Sequence, residues 1–166
     1  YATRCKKLKT DKRDARALAQ ACKLGAYKPA HRLSEAQRFV RTQIQVRQTL
    51  VGTRTELINS IGATLLYYGY RVPSGAAEDL PKRLQRVELP EELRTLLEPL
   101  VSMLEPLNQR IGQLDKELAA RAQKQEEARR LQEIPGVGPL TSLMFLAVLD
   151  GAHRFDSAHQ VMSYLG

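Results

Sequence analysis

Two carboxylates, Asp11 and Asp14, stand three residues apart at the start of a stretch that reads as a helix over 11–23. Ala15, Leu18, Ala19 and Cys22 would form one apolar face of that helix. At this spacing the two acids share a face, and paired carboxylates one turn apart could hold a divalent cation between them. Acids are also favoured at a helix start, as caps and by the helix dipole, with no metal involved. Spacing alone leaves both readings open. No Ser/His/Asp constellation, Walker loop or zinc-type Cys/His pair accompanies them, and His31, His153 and His159 fall in no metal or catalytic arrangement.

A second stretch could hold phosphate without transforming it. From Leu131 a helical pattern runs into Ile134, breaks at Pro135, turns over Gly136 and Gly138, and restarts as the apolar run Leu140 to Leu149. Glycine takes backbone angles closed to other residues and leaves room for a ligand to approach. Pro139 suits the first turn of a helix. The expected product is two short helices joined by a tight hairpin. Bare N–H groups then head the second helix, where free donors and the dipole attract phosphate. Gly136, Val137, Gly138 and Thr141 are the candidate contacts to a nucleic-acid backbone. They resemble the helix-hairpin-helix motif, which grips backbone without reading sequence. The alternative is a plain turn between helices that buries Ile134 and Val137.

Charge is the third pointer. The 166 residues carry a net charge of +8, and the excess is local. Ten of the 26 basic residues but only two of the 18 acids fall between Tyr1 and Leu33, which leaves sixteen of each sign for the rest. Such a patch draws phosphate polymers. Lys6, Lys7, Lys9, Lys12, Arg13 and Arg16 are its candidate contacts, against the alternative of a solvated lead-in. Apolar residues make up 43% of the chain, enough for a core, while the 5% aromatic content and the absence of Trp favour helices packed through Leu, Ile, Val and Ala. No run approaches the ~20 apolar residues of a membrane span, so no membrane partner is expected. Cys5 and Cys22 outline neither a metal site nor a disulfide framework, and a reducing, cytoplasmic setting is the expectation.

The elements that position these groups are helical. Ser34-x-x-Gln37 reads as a capping box. It opens a helix that continues to about Tyr70, with Ile44, Val51, Ile58 and Leu65 a heptad apart and Leu50 and Leu57 beside them. Arg47 and Arg54 stand where the second apolar seam position belongs. Pro73, Gly75 and Pro81 break a connector over 70–89 that has room for one short helix. Pro90-Glu91-Glu92 opens a return arm. In it Leu93, Leu97, Leu100, Leu104, Leu107, Ile111, Leu114 and Leu118 alternate by four and three, a coiled-coil seam. Pro99 and Pro106 oppose that seam, and each predicts a kink or restart.

Phe39, Tyr67, Tyr68 and Met103 are expected in the core, against the alternative of a ligand platform. Ser157-x-x-Gln160 caps a last helix reaching Gly166. The expected fold is all-α: a long antiparallel coiled-coil helical hairpin flanked by a short N-terminal helix and a C-terminal helix-hairpin-helix. Its parts are 1–33, 34–133 with the connector inside it, and 134–166. A lone hairpin leaves apolar surface uncovered, so a homo-dimer through the arms is expected, unless another part of the same protein covers them.

Lys9-Thr10-Asp11-Lys12-Arg13-Asp14-Ala15, followed by Leu18-Ala19, resembles the Lys-Thr-Asp-x-x-Asp-Ala signature of the DEDD transposases of bacterial insertion sequences, relatives of the Piv DNA invertases. The stretch Ile134 to Thr141, continued by Arg154-Phe155 and Tyr164-Leu165-Gly166, resembles the start of that family's C-terminal transposase domain. Both motifs stand in the family's order with a coiled coil between them. The resemblance implies that residues 1–33 close a RuvC-like nuclease domain. Asp11 and Asp14 are then the last two of its four catalytic acids, which bind a divalent metal, Mg²⁺. The first Asp and the Glu are expected before Tyr1 and the serine nucleophile after Gly166, so this portion alone is expected to be inactive. The implied reaction is cutting and rejoining of DNA strands, guided by a bridge RNA that pairs with target and donor DNA, near the bacterial nucleoid. The competing class is a non-catalytic, dimeric scaffold that binds nucleic acid.

Overall fold

The computed structural model describes residues 11–26 and 30–166; Lys6, Lys7 and Lys9 lie outside the described residues. Those residues are α-helical with no β-strand among them, so the fold is all-α. They divide into two compact units, Tyr1–Arg32 and Leu33–Gly166.

In the first unit the described helix is α1, Asp11–Leu24. Its acids lead and Lys23 lies in its last turn, the order the helix dipole favours. Gly25, at φ +62°, closes it with its N–H on the Cys22 carbonyl, a left-handed ending that suits glycine. The apolar stripe of α1 is exposed, with Leu18 at 67%.

The second unit is built on α2, Glu35–Tyr67, a helix of 33 residues. It lies antiparallel to a return arm made of α4, Glu91–Val101, and α5, Leu104–Lys124. The connector holds a 3-10 turn over Ala77–Asp79 and a short α3, Leu80–Leu84. Val40, Ile44, Arg47, Val51, Arg54, Ile58, Ile61 and Leu65 step by four and three along α2, so a continuous stripe faces the return arm. Apolar packing concentrates at its two ends. Ile61 and Leu65 meet Leu80, Leu84, Leu93, Leu97 and Leu104 at one end. Val40 and Ile44 meet Leu118, Ala122, Ala128, Leu143 and Ala147 at the other.

Between these two cores Arg47 and Arg54 alternate with half-buried Val51 and Ile58, and each arginine finds a partner across the hairpin. Arg47 Nε donates to Asp115 Oδ1 at 2.9 Å, and Arg54 Nη1 donates to Glu78 Oε1 at 2.8 Å and to Asn108 Oδ1 at 3.1 Å. Arg54 is buried, and its partners come from the connector and from α5. The two arginines thus complete the seam with cross-helix hydrogen bonds where Leu would have completed it by packing.

Pro99 and Pro106 produce one break, at Ser102–Met103, instead of the expected two. The α4 helix runs through Pro99 for two further residues. Pro106 falls in the first turn of α5, where a missing N–H has no intrahelical acceptor to lose. The expectation that Phe39, Tyr67, Tyr68 and Met103 lie in the core is also corrected: they are exposed at 56%, 84%, 55% and 51%. Phe39 and Tyr67 stand one and two positions from the seam residues Val40 and Leu65, so the helix turns them outward, while Tyr68 and Met103 lie at helix ends.

The far end of the hairpin is closed by α6, Glu126–Gln132, and α7, Pro139–Leu149. A helix apolar on every side belongs inside a protein. Accordingly α7 packs against α2, α5 and α6 together. Its buried Ser142 satisfies its hydroxyl on the Pro139 carbonyl at 2.9 Å. The chain then turns at Asp150, in the left-handed region at φ 62°, and enters α8, Ala158–Leu165. Arg154 ties that last helix down. Its guanidinium lies 5.1 Å from the Phe155 ring centroid and 5.2 Å from that of Tyr164, while Nη1 donates to the Leu149 carbonyl at 2.6 Å. No helix among the described residues is long and apolar enough to cross a membrane.

Candidate nucleic-acid interface

Asp11 and Asp14 occupy the first turn of α1, both exposed. At about 100° of rotation per residue they fall on the same side of the helix as Leu18 and Cys22. Lys12, Arg13 and Arg16 fall on the other side, also exposed. The helix therefore separates its two kinds of charge: one side offers carboxylates above an apolar stripe, the opposite side offers cations.

The carboxylate pair suits a small hard cation. Mg²⁺ takes one or two carboxylates and leaves its other positions to water or phosphate oxygens. Among the described residues no three of His, Cys, Asp and Glu come together, so α1 offers two ligands.

The turn from α6 to α7 is built by backbone geometry. Gly136 has φ +88°, an angle that an L side chain rarely adopts, and Val137 N–H closes the turn on the Ile134 carbonyl at 3.0 Å. Gly138 is the N-cap of α7 at φ −91°, an ordinary extended angle, and brings no capping side chain. Its carbonyl accepts the Ser142 N–H at 3.0 Å. Pro139 has no N–H to offer, so the amides of Leu140 and Thr141 are the first-turn donors without an intrahelical acceptor. Thr141 is exposed beside them. A Cβ at either glycine would meet nothing within 4 Å. The reason for glycine at 136 is its backbone angle; at 138 neither the angle nor the space around it asks for one.

One turn thus gathers Gly136, Val137, Gly138 and Thr141, and one helix gathers Asp11, Asp14, Lys12, Arg13 and Arg16. Of the apolar pair in the turn, Val137 is half-buried but Ile134 remains 53% exposed. Exposed Arg129 and Arg130 stand in the last turn of α6, Arg130 holding Glu126 at 2.5 Å.

A further group escaped the sequence reading. The Arg121 guanidinium of α5 lies 5.6 Å from the ring centroid of Phe39 on α2. The available signals were weak: an aromatic one position off the seam, and cations following the last seam leucine.

Comparison with known proteins fits both ends of the chain. Residues 2–69 match a family model of DEDD transposases of the IS110 kind, described as Transposase. Residues 128–166 match a second, described as Transposase IS116/IS110/IS902 family. The transposase for insertion sequence element IS1111A of Coxiella burnetii (strain RSA 493 / Nine Mile phase I) is 33% identical over 163 residues, covering 95% of this chain and 45% of the relative. The transposase for insertion sequence element IS1328 of Yersinia enterocolitica is 32% identical over 154 residues, covering 90% of this chain and 46% of the relative. The chain spans about half the length of these curated relatives. No solved structure matches. The first match takes in the Asp11–Asp14 signature and the second takes in the glycine turn, in that order along one chain. The chain belongs to the IS110 family of DEDD transposases.

Proposed function

We propose that this chain is part of a DNA transposase that cuts and rejoins DNA strands under the guidance of a bridge RNA. In this reading, residues 1–33 finish a RuvC-like nuclease domain, 34–133 form the arms that pair two subunits, and 134–166 begin the transposase domain. Asp11 and Asp14 hold a divalent metal, Mg²⁺, together with acids supplied from outside this portion. When bound, the metal activates an oxygen nucleophile or stabilises the leaving oxygen. Lys12, Arg13 and Arg16 face away from the acid pair and screen phosphates of a strand passing the other side of α1. The exposed Val46, Leu66 and Leu96 supply apolar surface on the arms for a second copy.

The observation that carries the nucleic-acid reading is the head of α7. A glycine-built turn brings its uncapped first turn to the surface, on a helix otherwise packed into the core. Such a helix end binds phosphate through N–H donors and dipole without reading base sequence.

The test is binding of the chain to duplex DNA and to structured RNA across a salt series. Affinity should fall steeply with salt, and replacing Lys12, Arg13 and Arg16 by Gln should flatten the log–log slope by about 0.9 for each duplex phosphate that is no longer neutralised. Binding that is absent at low salt, or unchanged in slope by the triple replacement, overturns the assignment of α1.

A further inference from the structure

Between α2 and α5, near the start of α2, lies a groove of about 560 Å³ lined by Gln43, Glu117, Ala120, Arg121, Lys124 and Gln125. Phe39 stands one helical turn before Gln43; the residue is 56% exposed, and the Arg121 guanidinium lies over its ring, 5.6 Å from the centroid. Gln43 Oε1 is buried and has no hydrogen-bond partner. Phe39 and Gln43 flank the seam residues Val40 and Ile44 without joining their core, and Phe39 meets the opposite arm through Arg121 alone among the ring contacts described.

Each feature fits one part of a nucleotide. An exposed aromatic face beside a guanidinium stacks a base of any sequence. A buried acceptor left unpaired is costly until a donor reaches it. Arg121 and Lys124, one turn apart on α5, present two cations along the groove. Glu117 lies about two turns from Lys124, and its carboxylate accepts from Gln113 Nε2 at 3.2 Å. That negative charge directs a phosphate to the Lys124 end and adds an acceptor at the base end.

We propose that this groove takes an unpaired nucleotide of a single strand, with its base on Phe39, its amino group on Gln43 Oε1 and its phosphate between Arg121 and Lys124. Adenine, cytosine and guanine carry an exocyclic amino group; thymine and uracil carry none and fit less well. The inference rests on the nucleic-acid reading above but uses other residues than the α7 turn, and a paired duplex cannot present a base this way.

The experiment is fluorescence anisotropy with labelled adenine-only and pyrimidine-keto (thymine or uracil) strands of about 12 nucleotides, in both DNA and RNA, beside a duplex. The native chain should prefer the adenine strands. Phe39→Ala and Lys124→Gln should each weaken single-strand binding about tenfold and leave duplex binding unchanged, while Phe39→Trp should retain it. Comparison of the two sugars identifies which strand the groove prefers. Single-strand binding that survives Phe39→Ala and Lys124→Gln overturns the groove. So does duplex binding with no single-strand binding at all. If the native chain binds neither form, the broader nucleic-acid reading falls with it.

Discussion

Ser34 and Asp150, 116 positions apart, are joined by two hydrogen bonds: the Ser34 N–H donates to Asp150 Oδ2 at 2.9 Å and the Ser34 hydroxyl donates to Oδ1 at 2.5 Å. The same hydroxyl oxygen accepts the Gln37 N–H at 3.3 Å as the N-cap of α2. The residue that ends α7 therefore also fastens the start of α2, and it does so from a left-handed backbone angle. Asp150→Ala loses the carboxylate and keeps the unfavourable angle, so it should cost about 2 kcal/mol in urea unfolding. Asp150→Gly gives up the same hydrogen bonds but relieves the angle, and should cost about 1 kcal/mol less. Equal costs for the two variants would show that the backbone angle at 150 carries no strain.

The two turn glycines should separate by assay. Gly136→Ala forces an L side chain to φ +88° and should lower stability by about 1 kcal/mol, weakening DNA binding along with it. Gly138→Ala strains nothing, since its backbone angle is ordinary and its Cβ meets nothing in the chain. Its methyl would stand at the head of α7, where phosphate approaches. Stability within about 0.5 kcal/mol of native together with weaker duplex binding is the expected result. Unchanged binding by Gly138→Ala would remove the α7 head from the interface.

How far these features could be read in advance depends on how local their causes are. The Leu93–Leu118 seam is legible because its period is its cause, and the return arm pairs along it as its spacing implies. Arg47 and Arg54 read as flaws in the α2 seam because their partners Asp115, Asn108 and Glu78 lie 24 to 68 positions away. The capping residues Ser34 and Ser157 were legible, but the reciprocal bonds were not. Ser34 N–H goes to Asp150, and Gln160 Oε1 accepts from Asp156 N–H at 3.0 Å. Phe39 was misplaced because an aromatic count says nothing of helix phase. At the α6–α7 turn, sequence order marked both glycines, while only the backbone angle reveals that the two differ.

The acid pair of α1 can be probed without any catalytic assay. Mn²⁺ added to isotopically labelled chain should broaden the amide signals around Asp11 and Asp14 at about millimolar concentration, the range expected of few carboxylate ligands. Asp11→Asn and Asp14→Asn should each abolish that broadening, and other resonances should serve as the internal control. Broadening that persists in both variants would place the cation elsewhere.

Arg54 and Glu78 give a pH prediction. The Glu78 carboxyl is held below the usual carboxylate range, first by a hydrogen bond from its own backbone N–H and then by the Arg54 guanidinium. A carboxyl lowered in the folded state stabilises the fold above its unfolded pKa, and that contribution is lost as pH falls through the folded value. Native chain should therefore melt above Glu78→Gln at neutral pH, with the gap closing as the solution passes below about pH 4. Arg54 answers differently, because it is buried and also bonded to Asn108. Arg54→Ala should cost about 2 kcal/mol through poorer packing and an unmatched Asn108. Arg54→Met fills the seam with an apolar chain of similar length and should stay within about 1 kcal/mol of native, since the Glu78 end of the pair is 58% exposed and a solvent-screened ion pair contributes little. A melting gap between native and Glu78→Gln that stays constant into acid would refute the ionic origin of the Glu78 contribution. A large loss in Arg54→Met would show instead that the polar pairing in the middle of the seam is required for the hairpin to hold its register.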